Sequence, residues 1–106
     1  MNRNERIRKL SRASDWRAAL TILTSAFAKD GRVWQHVDLE RERIHFEEIL
    51  ADGTFSSGER MLLTVAASLF NQDHRINLWE VLNRVDDTNA ALILTAIRSF
   101  CFEDER

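Results

Sequence analysis

The amino-acid sequence predicts a mostly α-helical fold: a compact bundle of five or six helices that forms a single domain over residues 1–106. The chain contains no proline and only three glycines, whereas a β-sandwich or barrel needs many turns and is richer in both residues. Apolar residues recur at spacings of three and four in several segments, which is the period of a helix with one buried side. Apolar residues make up 44% of the chain and charged residues 30%, as is typical of a globular domain rather than a disordered segment.

The first two predicted helices cover residues 3–12 and 14–29. The first is short and has only two apolar residues, Ile7 and Leu10. The second has a continuous apolar stripe made of Trp16, Ala19, Leu20, Leu23 and Phe27. Ser14 or Asp15 is expected to cap its start, and Gly31 is expected to end it in the left-handed conformation.

Residues 32–45 fit two interpretations. Alternating apolar residues allow a small β-hairpin within residues 33–46. A helix over residues 38–51 is equally consistent with the apolar spacing, and we favour this helix.

The clearest helix is predicted at residues 57–71. Ser56 followed three residues later by Glu59 fits the capping-box pattern of a helix start. The apolar residues behind it occupy nearly every side of the helix: Met61, Leu62, Leu63, Val65, Ala66, Ala67, Leu69 and Phe70. Helices that are apolar nearly all round are usually central in their domain, so we expect this one to be the centre of the bundle.

Two further helices are predicted at residues 77–85 and 88–102. The inward residues of the shorter helix are expected to be Leu78, Trp79, Leu82 and Val85. Asp86, Asp87 or Thr88 is expected to cap the longer helix. The longer helix is almost as apolar as the central one, so part of its surface is expected to stay uncovered and to promote self-association.

An internal similarity links the second predicted helix to the central one. When residues 14–32 are aligned with residues 57–75, eight of the 19 aligned positions are identical. A period of 43 residues lies in the range of repeats built from helix pairs. The alternative is that any two capped amphipathic helices resemble each other at their best offset.

The segment Ser56–Arg60, Ser-Ser-Gly-Glu-Arg, resembles the signature helix of ABC-type and SMC-type ATPases. In those proteins the helix start faces a nucleotide phosphate. The nucleotide also requires a phosphate loop with a Gly-Lys pair, and the only lysines in this chain are Lys9 and Lys29. We therefore assign no ATPase role to the segment.

No set of residues for catalysis or metal binding emerges from the sequence. Glu42 and His45 form one E-x-x-H pair, but di-iron bundles use this motif twice. Cys101 lies in a very apolar segment, where a buried and unreactive thiol is expected. We therefore predict that the protein is not an enzyme and has no metal site or cofactor.

Charge is unevenly distributed along the chain. Residues 1–12 carry a net charge of +4, whereas the whole chain carries −2. This basic, flexible arm is the basis of an alternative function, nucleic-acid binding, with phosphate contacts from Arg3, Arg6, Arg8, Lys9 and Arg12. A helix–turn–helix-like unit over residues 57–102 is a second route to the same function, although residues 57–106 carry a net charge of −3, which opposes contact with phosphates.

Protein–protein interaction is the predicted function, because no catalytic, metal or cofactor motif is present. The partner is expected to be another protein or a second copy of the chain. The expected anchors are Arg32, Trp34 and His36, because an accessible tryptophan beside arginine is typical of interface hot spots. The N-terminus lacks the apolar segment of a secretion signal and the chain has one cysteine, so a cytoplasmic protein without a membrane segment is expected.

Overall fold

The computed structural model describes residues 1–103, and it confirms the mostly α-helical fold. These residues form seven helices and one two-stranded antiparallel hairpin. The helices are α1 (Arg3–Leu10), α2 (Ser14–Ala26), α3 (Gly31–Trp34), α4 (Phe46–Ala51), α5 (Ser57–Phe70), α6 (Leu78–Arg84) and α7 (Asp87–Cys101). The strands are β1 (Val37–Asp38) and β2 (Arg43–Ile44). The helix count exceeds the predicted five or six, and α3 and α4 are short helices of four and six residues.

Helices α2 and α5 together form the centre of the fold. Helix α2 packs against both α5 and α7. Its alanines Ala18 and Ala19 and its aliphatic Ile22 and Leu23 have no solvent exposure. Alanine side chains are small, so neighbouring helices can approach α2 closely on these sides. The predicted helix at 57–71 is therefore one of two central helices.

Helix α5 begins with the predicted capping box. The Glu59 backbone N–H donates to Ser56 Oγ at 3.1 Å, and the Ser56 N–H donates to Glu59 Oε1 at 2.8 Å. Helix α7 begins in the predicted way too, because Asp86 Oδ1 accepts from the Asn89 N–H at 2.7 Å. These side chains satisfy backbone donors that have no partner inside the helix.

The predicted start of α2 at residue 14 is confirmed, whereas its predicted cap and its predicted end at residue 29 are wrong. The Arg17 N–H already donates to the Ala13 carbonyl at 2.8 Å, so the cap position is Ala13, which makes no side-chain cap bond. Helix α2 ends at Ala26, before the predicted stop. Gly31 instead begins α3, and no glycine among the described residues has a positive φ.

The helix favoured for residues 38–51 is wrong before Phe46, where the structure has the alternative hairpin. Val37 pairs with Ile44 across the two strands, and Asp38 pairs with Arg43. The Asp38 side chain accepts a hydrogen bond from the Arg41 backbone N–H at 3.0 Å, which favours a turn over a helix at this point.

Helices α1 and α2 and helices α4 and α5 form two similar helix pairs. The first residues of α1 and α4, and the first residues of α2 and α5, are each 43 residues apart in the chain. Arg17 in α2 and Arg60 in α5 occupy matching positions, and each guanidinium donates to backbone carbonyls at the end of the preceding helix. This correspondence supports the interpretation of the 43-residue similarity as a repeat.

Candidate functional site

Helix α6 presents a mostly uncovered apolar face. Trp79 is 73% exposed, Leu82 58% and Leu78 56%. These three residues lie within an arc of about 100° on a helical projection, so they form one continuous face. We call Leu78, Trp79 and Leu82 the α6 face.

The prediction that these three residues point inward is wrong. Helix α6 has only seven residues, and it contacts the core through a neighbouring apolar arc, where Val81 is buried and Val85, the residue after the helix, is partly buried. The sequence of α6 contains two adjacent apolar arcs, and only one of them can face a core on one side of the helix.

A groove lies between the start of α5, α6 and the start of α7. Its volume is about 790 Å³, within the range of ligand-binding clefts. Its walls include Met61 and Thr64 of α5 and Val81 of α6. Gly58 of α5 lies close to the start of α7, because a Cβ atom at this position would come within 3.3 Å of Asn89 Nδ2.

Helix α7 also exposes large apolar side chains. Leu94 and Phe102 are each 63% exposed and Phe100 is 40% exposed. Cys101 is exposed, so its prediction as a buried thiol is wrong. Cys101 follows Leu94 by two helical turns and therefore shares its outward side rather than the side of the buried Ile93.

The structure brings Arg3 of the basic arm into contact with Trp34. The Arg3 guanidinium lies 3.9 Å above the Trp34 ring, and its Nη2 donates to the Ala28 carbonyl at 3.2 Å. Trp34 is partly buried and its Nε1 donates to the Phe27 carbonyl at 2.7 Å. Trp34 thus helps to hold α1 and α3 against the end of α2.

A second, open cavity of about 510 Å³ adjoins this contact. Arg3 and Arg6 of α1 line it together with His36, which precedes β1. Arg6 Nη2 also lies 3.9 Å from a Glu40 carboxylate oxygen. Residues predicted for nucleic-acid binding and for partner binding therefore share one surface.

Arg32 lies in a different place, within a cluster of internal contacts. Its guanidinium pairs with both Asp30 carboxylate oxygens at 3.0 and 2.6 Å and with Glu59 at 3.3 Å. It also donates to Thr54 and stacks 4.1 Å above the Phe55 ring. These contacts join the start of α3 to the start of α5.

The charges of this cluster shift the acidity of its carboxyl groups. The side-chain hydrogen bonds from Arg32 hold the pKa of Asp30 below its usual value. The pKa of Glu59 is lowered mainly by its bond from the Ser56 backbone N–H, with a further contribution from Arg32. The contacts favour the ionised forms of both acids.

The other three basic residues of the arm, Arg8, Lys9 and Arg12, are exposed. None of them forms an ion pair within residues 1–103. The helix–turn–helix-like unit has acidic residues at the start of its second helix, because α7 opens with Asp86 and Asp87. Because of these negative charges, the unit is a poorer binding surface for a phosphate backbone than the arm is.

Residues 1–103 contain no group of three or more potential metal ligands in one place. Glu42 and His45 lie in and after the hairpin, and Glu42 has a φ of 57° in the left-handed region, so the E-x-x-H pair is not on a helix. None of the helices in the described part of the chain combines the length and the apolar character that a bilayer-spanning segment needs.

Comparison with known proteins gives no relative from which a role could be transferred: no protein-family description matches the chain, and no curated protein or solved structure shows significant similarity to it.

Proposed function

We propose that this chain is a non-enzymatic protein–protein interaction module, acting as an adaptor, an inhibitor or a small regulatory subunit, and that the α6 face is its contact surface. The single observation that carries the proposal is the exposure of Leu78, Trp79 and Leu82 on one side of one short helix. The proposal places the module in the cytoplasm, for which the support is its lone cysteine.

Exposed single apolar residues are common on protein surfaces, but a contiguous group that contains tryptophan is typical of interfaces. Tryptophan is among the residues that contribute most to binding free energy at interface hot spots. Polar residues on the same helix, such as Glu80 and Asn83, border the α6 face and match the polar rim of an interface.

Cross-linking from the α6 face tests this proposal. A photoreactive amino acid replaces Trp79 in one variant of the protein and Thr24 in another. Thr24 is also exposed, but it lies on α2. After irradiation in cells, we expect a protein adduct from position 79 and none from position 24. The adduct is then identified and the complex reassembled from purified proteins.

Reassembly gives a quantitative result. Truncation of a tryptophan hot spot costs about 2 kcal/mol, which is roughly 30-fold in Kd. We therefore expect Trp79→Ala to weaken the purified complex by that factor, and Thr24→Ser on α2 to leave it unchanged. If the partner is a second copy of the chain, sedimentation of the purified protein shows a dimer that Trp79→Ala dissociates. A strict monomer without any adduct from position 79 contradicts the proposal.

Nucleic-acid binding through the arm is the second candidate, favoured by the exposure of Arg8, Lys9 and Arg12 without ion pairs in the described part of the chain. Binding to phosphates weakens steeply with salt. Residue Leu10 of α1 is buried in the core, so the test uses the charge-reversing double variant Arg8→Glu/Lys9→Glu instead of a deletion. If the chain binds a DNA or RNA oligonucleotide with an affinity that neither salt nor this variant changes, the arm is not the contact.

A further inference from the structure

The two similar helix pairs differ in what covers them. In the first pair, the final turn of α7 lies over the start of α2. Arg17 Nε donates to the Ser99 carbonyl at 2.6 Å, and Thr21 Oγ1 lies 3.4 Å from Ser99 Oγ. Ala18, which lies between Arg17 and Thr21 on α2, has no solvent exposure. The start of α2 therefore forms a docking surface for the C-terminal end of a helix.

The Ser99 carbonyl belongs to the last turn of α7, where carbonyls have no partner inside the helix. Arg17 supplies the missing donor with its Nε and uses its Nη1 for the carbonyls of Ser11 and Arg12 at 3.1 and 3.2 Å. One arginine thus caps the ends of two helices, α1 and α7.

In the second pair, the corresponding surface is open. Arg60, Met61 and Thr64 are the counterparts of Arg17, Ala18 and Thr21, and all three line the groove between α5, α6 and α7. Arg60 uses Nη1 and Nη2 for the carbonyls of Leu50 and Asp52 at 2.7 and 2.9 Å. Its Nε has no hydrogen-bond partner within residues 1–103.

Thr64 repeats the local geometry of Thr21. Each threonine hydroxyl donates to the carbonyl of the arginine one turn earlier, at 2.7 Å for Thr21 and 2.8 Å for Thr64. Leu20 and Leu63, which precede these threonines, are both buried beneath the surface. The surface on α5 therefore repeats the arginine, the leucine and the threonine of the surface on α2, with Met61 in place of Ala18 and without the C-terminal end of a helix lying on it.

We propose that the groove of about 790 Å³ receives the C-terminal turn of a helix from a partner protein, with Arg60 Nε donating to a backbone carbonyl of that turn. This inference rests on the proposed function and adds the chemistry of one contact. The expected contact resembles the packing of the C-terminal end of the chain's own α7 against α2.

The charges of the groove agree with this occupant. Arg75 and Arg84 line it and form no ion pair within residues 1–103. Glu80 and Asp86 also line it, so with Arg60 the groove has one more positive than negative side chain. The C-terminal end of a helix carries partial negative charge and is stabilised by nearby cations.

A synthetic peptide of residues 86–102, with an amidated C-terminus and Cys101→Ser, serves as the probe. It has the sequence of α7, the helix whose C-terminal end packs on α2. Binding to the full chain is followed by NMR through the arginine Nε–H resonances. We expect the Arg60 Nε–H resonance to shift and to exchange more slowly with water when peptide is added, while the Arg17 resonance stays unchanged.

Two variants at one position give a matched comparison. Met61→Glu places a negative charge in the groove and is expected to weaken peptide binding by about tenfold or more. Met61→Leu keeps the size and apolar character and is expected to bind as the wild type does. If Met61→Glu does not fold, Arg84→Glu on the exposed α6 replaces it, with an expected loss of about threefold to tenfold.

The outcomes separate this inference from the proposed function. Failure of the peptide to bind overturns the inference, and so does binding that shifts Arg17 instead of Arg60, because the peptide has then replaced the chain's own α7. Trp79 does not line the groove, so Trp79→Ala is expected to retain peptide binding. Loss of the reassembled complex in Trp79→Ala supports the proposed function whatever the peptide does.

Discussion

Replacing Arg17 and Arg60 in turn tests whether the two similar helix pairs are held in the same way. Methionine is the replacement at both positions, because it keeps an apolar stem and removes the guanidinium. Both variants lose the hydrogen bonds that end the preceding helix. Only Arg17→Met also loses the contact with Ser99 at the end of α7.

The expected magnitudes follow from the number of hydrogen bonds. Arg17 makes three bonds to carbonyls and Arg60 makes two. With a net contribution of about 1 kcal/mol for each bond, the free energy of unfolding should fall by about 3 kcal/mol in Arg17→Met and about 2 kcal/mol in Arg60→Met. For a chain of this length, each kcal/mol lowers Tm by roughly 4 °C.

Urea unfolding followed by circular dichroism measures these losses. The matched control is Arg41→Met, because the Arg41 side chain is 81% exposed and lies 3.7 Å from Asp38, and exposed pairs of this kind contribute little. If Arg17→Met and Arg60→Met unfold at the same urea concentration as the control, the guanidinium groups do not hold the helix pairs together and the reasoning fails.

Three further predictions concern stability. Asp30 has a lowered pKa in the fold, so its ionised form stabilises the protein above the unfolded-state pKa, and this contribution is lost as the pH falls through the folded-state pKa. The difference in urea midpoint between wild type and Asp30→Asn should therefore shrink between pH 7 and pH 3. A difference independent of pH would count against the Arg32 contact. Ser56→Ala removes half of the capping box and should cost about 1 kcal/mol, whereas Ser57→Ala, next to it, should cost much less; equal losses in thermal melts would refute the cap. Ile22→Ala opens a cavity in the core and should cost about 2–5 kcal/mol in urea unfolding, and a loss below 1 kcal/mol would mean that α2 is not central.

Much of the helical framework could be predicted from local sequence signals. The start of α5 depends on Ser56 and Glu59, and the start of α7 depends on Asp86; each is a cap whose partners lie within three residues. Signals of this kind do not require knowledge of the tertiary fold. The apolar stripe of α2 could also be predicted, because spacings of three and four residues place its apolar side chains on one side of a helix.

The hairpin and the α6 face depended on contacts that the sequence does not reveal. Residues 38–45 have apolar spacing that suits a helix or a strand, and the Asp38 turn decides between them. Helix α6 has two apolar arcs, and the fold buries Val81 while it leaves Trp79 exposed. Apolar spacing alone places Trp79 in the core, so the candidate interface is not evident from the sequence.

The roles of arginine were equally hard to assign. Arg32 was predicted to contact a partner because it lies near Trp34 in the chain. In the fold its guanidinium is occupied by Asp30, Glu59 and Thr54, and these contacts span 27 residues of sequence at the widest. A role at an interface for Arg32 stays a prediction, and only a binding measurement with an Arg32 variant tests it.

The affinity of the purified complex, or of the dimer, measured for wild type and Trp79→Ala is the most direct test of the α6 face as a protein-binding surface. We predict a loss of roughly 30-fold in Kd with an unchanged melting temperature, because Trp79 is 73% exposed in the free chain. Equal affinities for wild type and Trp79→Ala would contradict it.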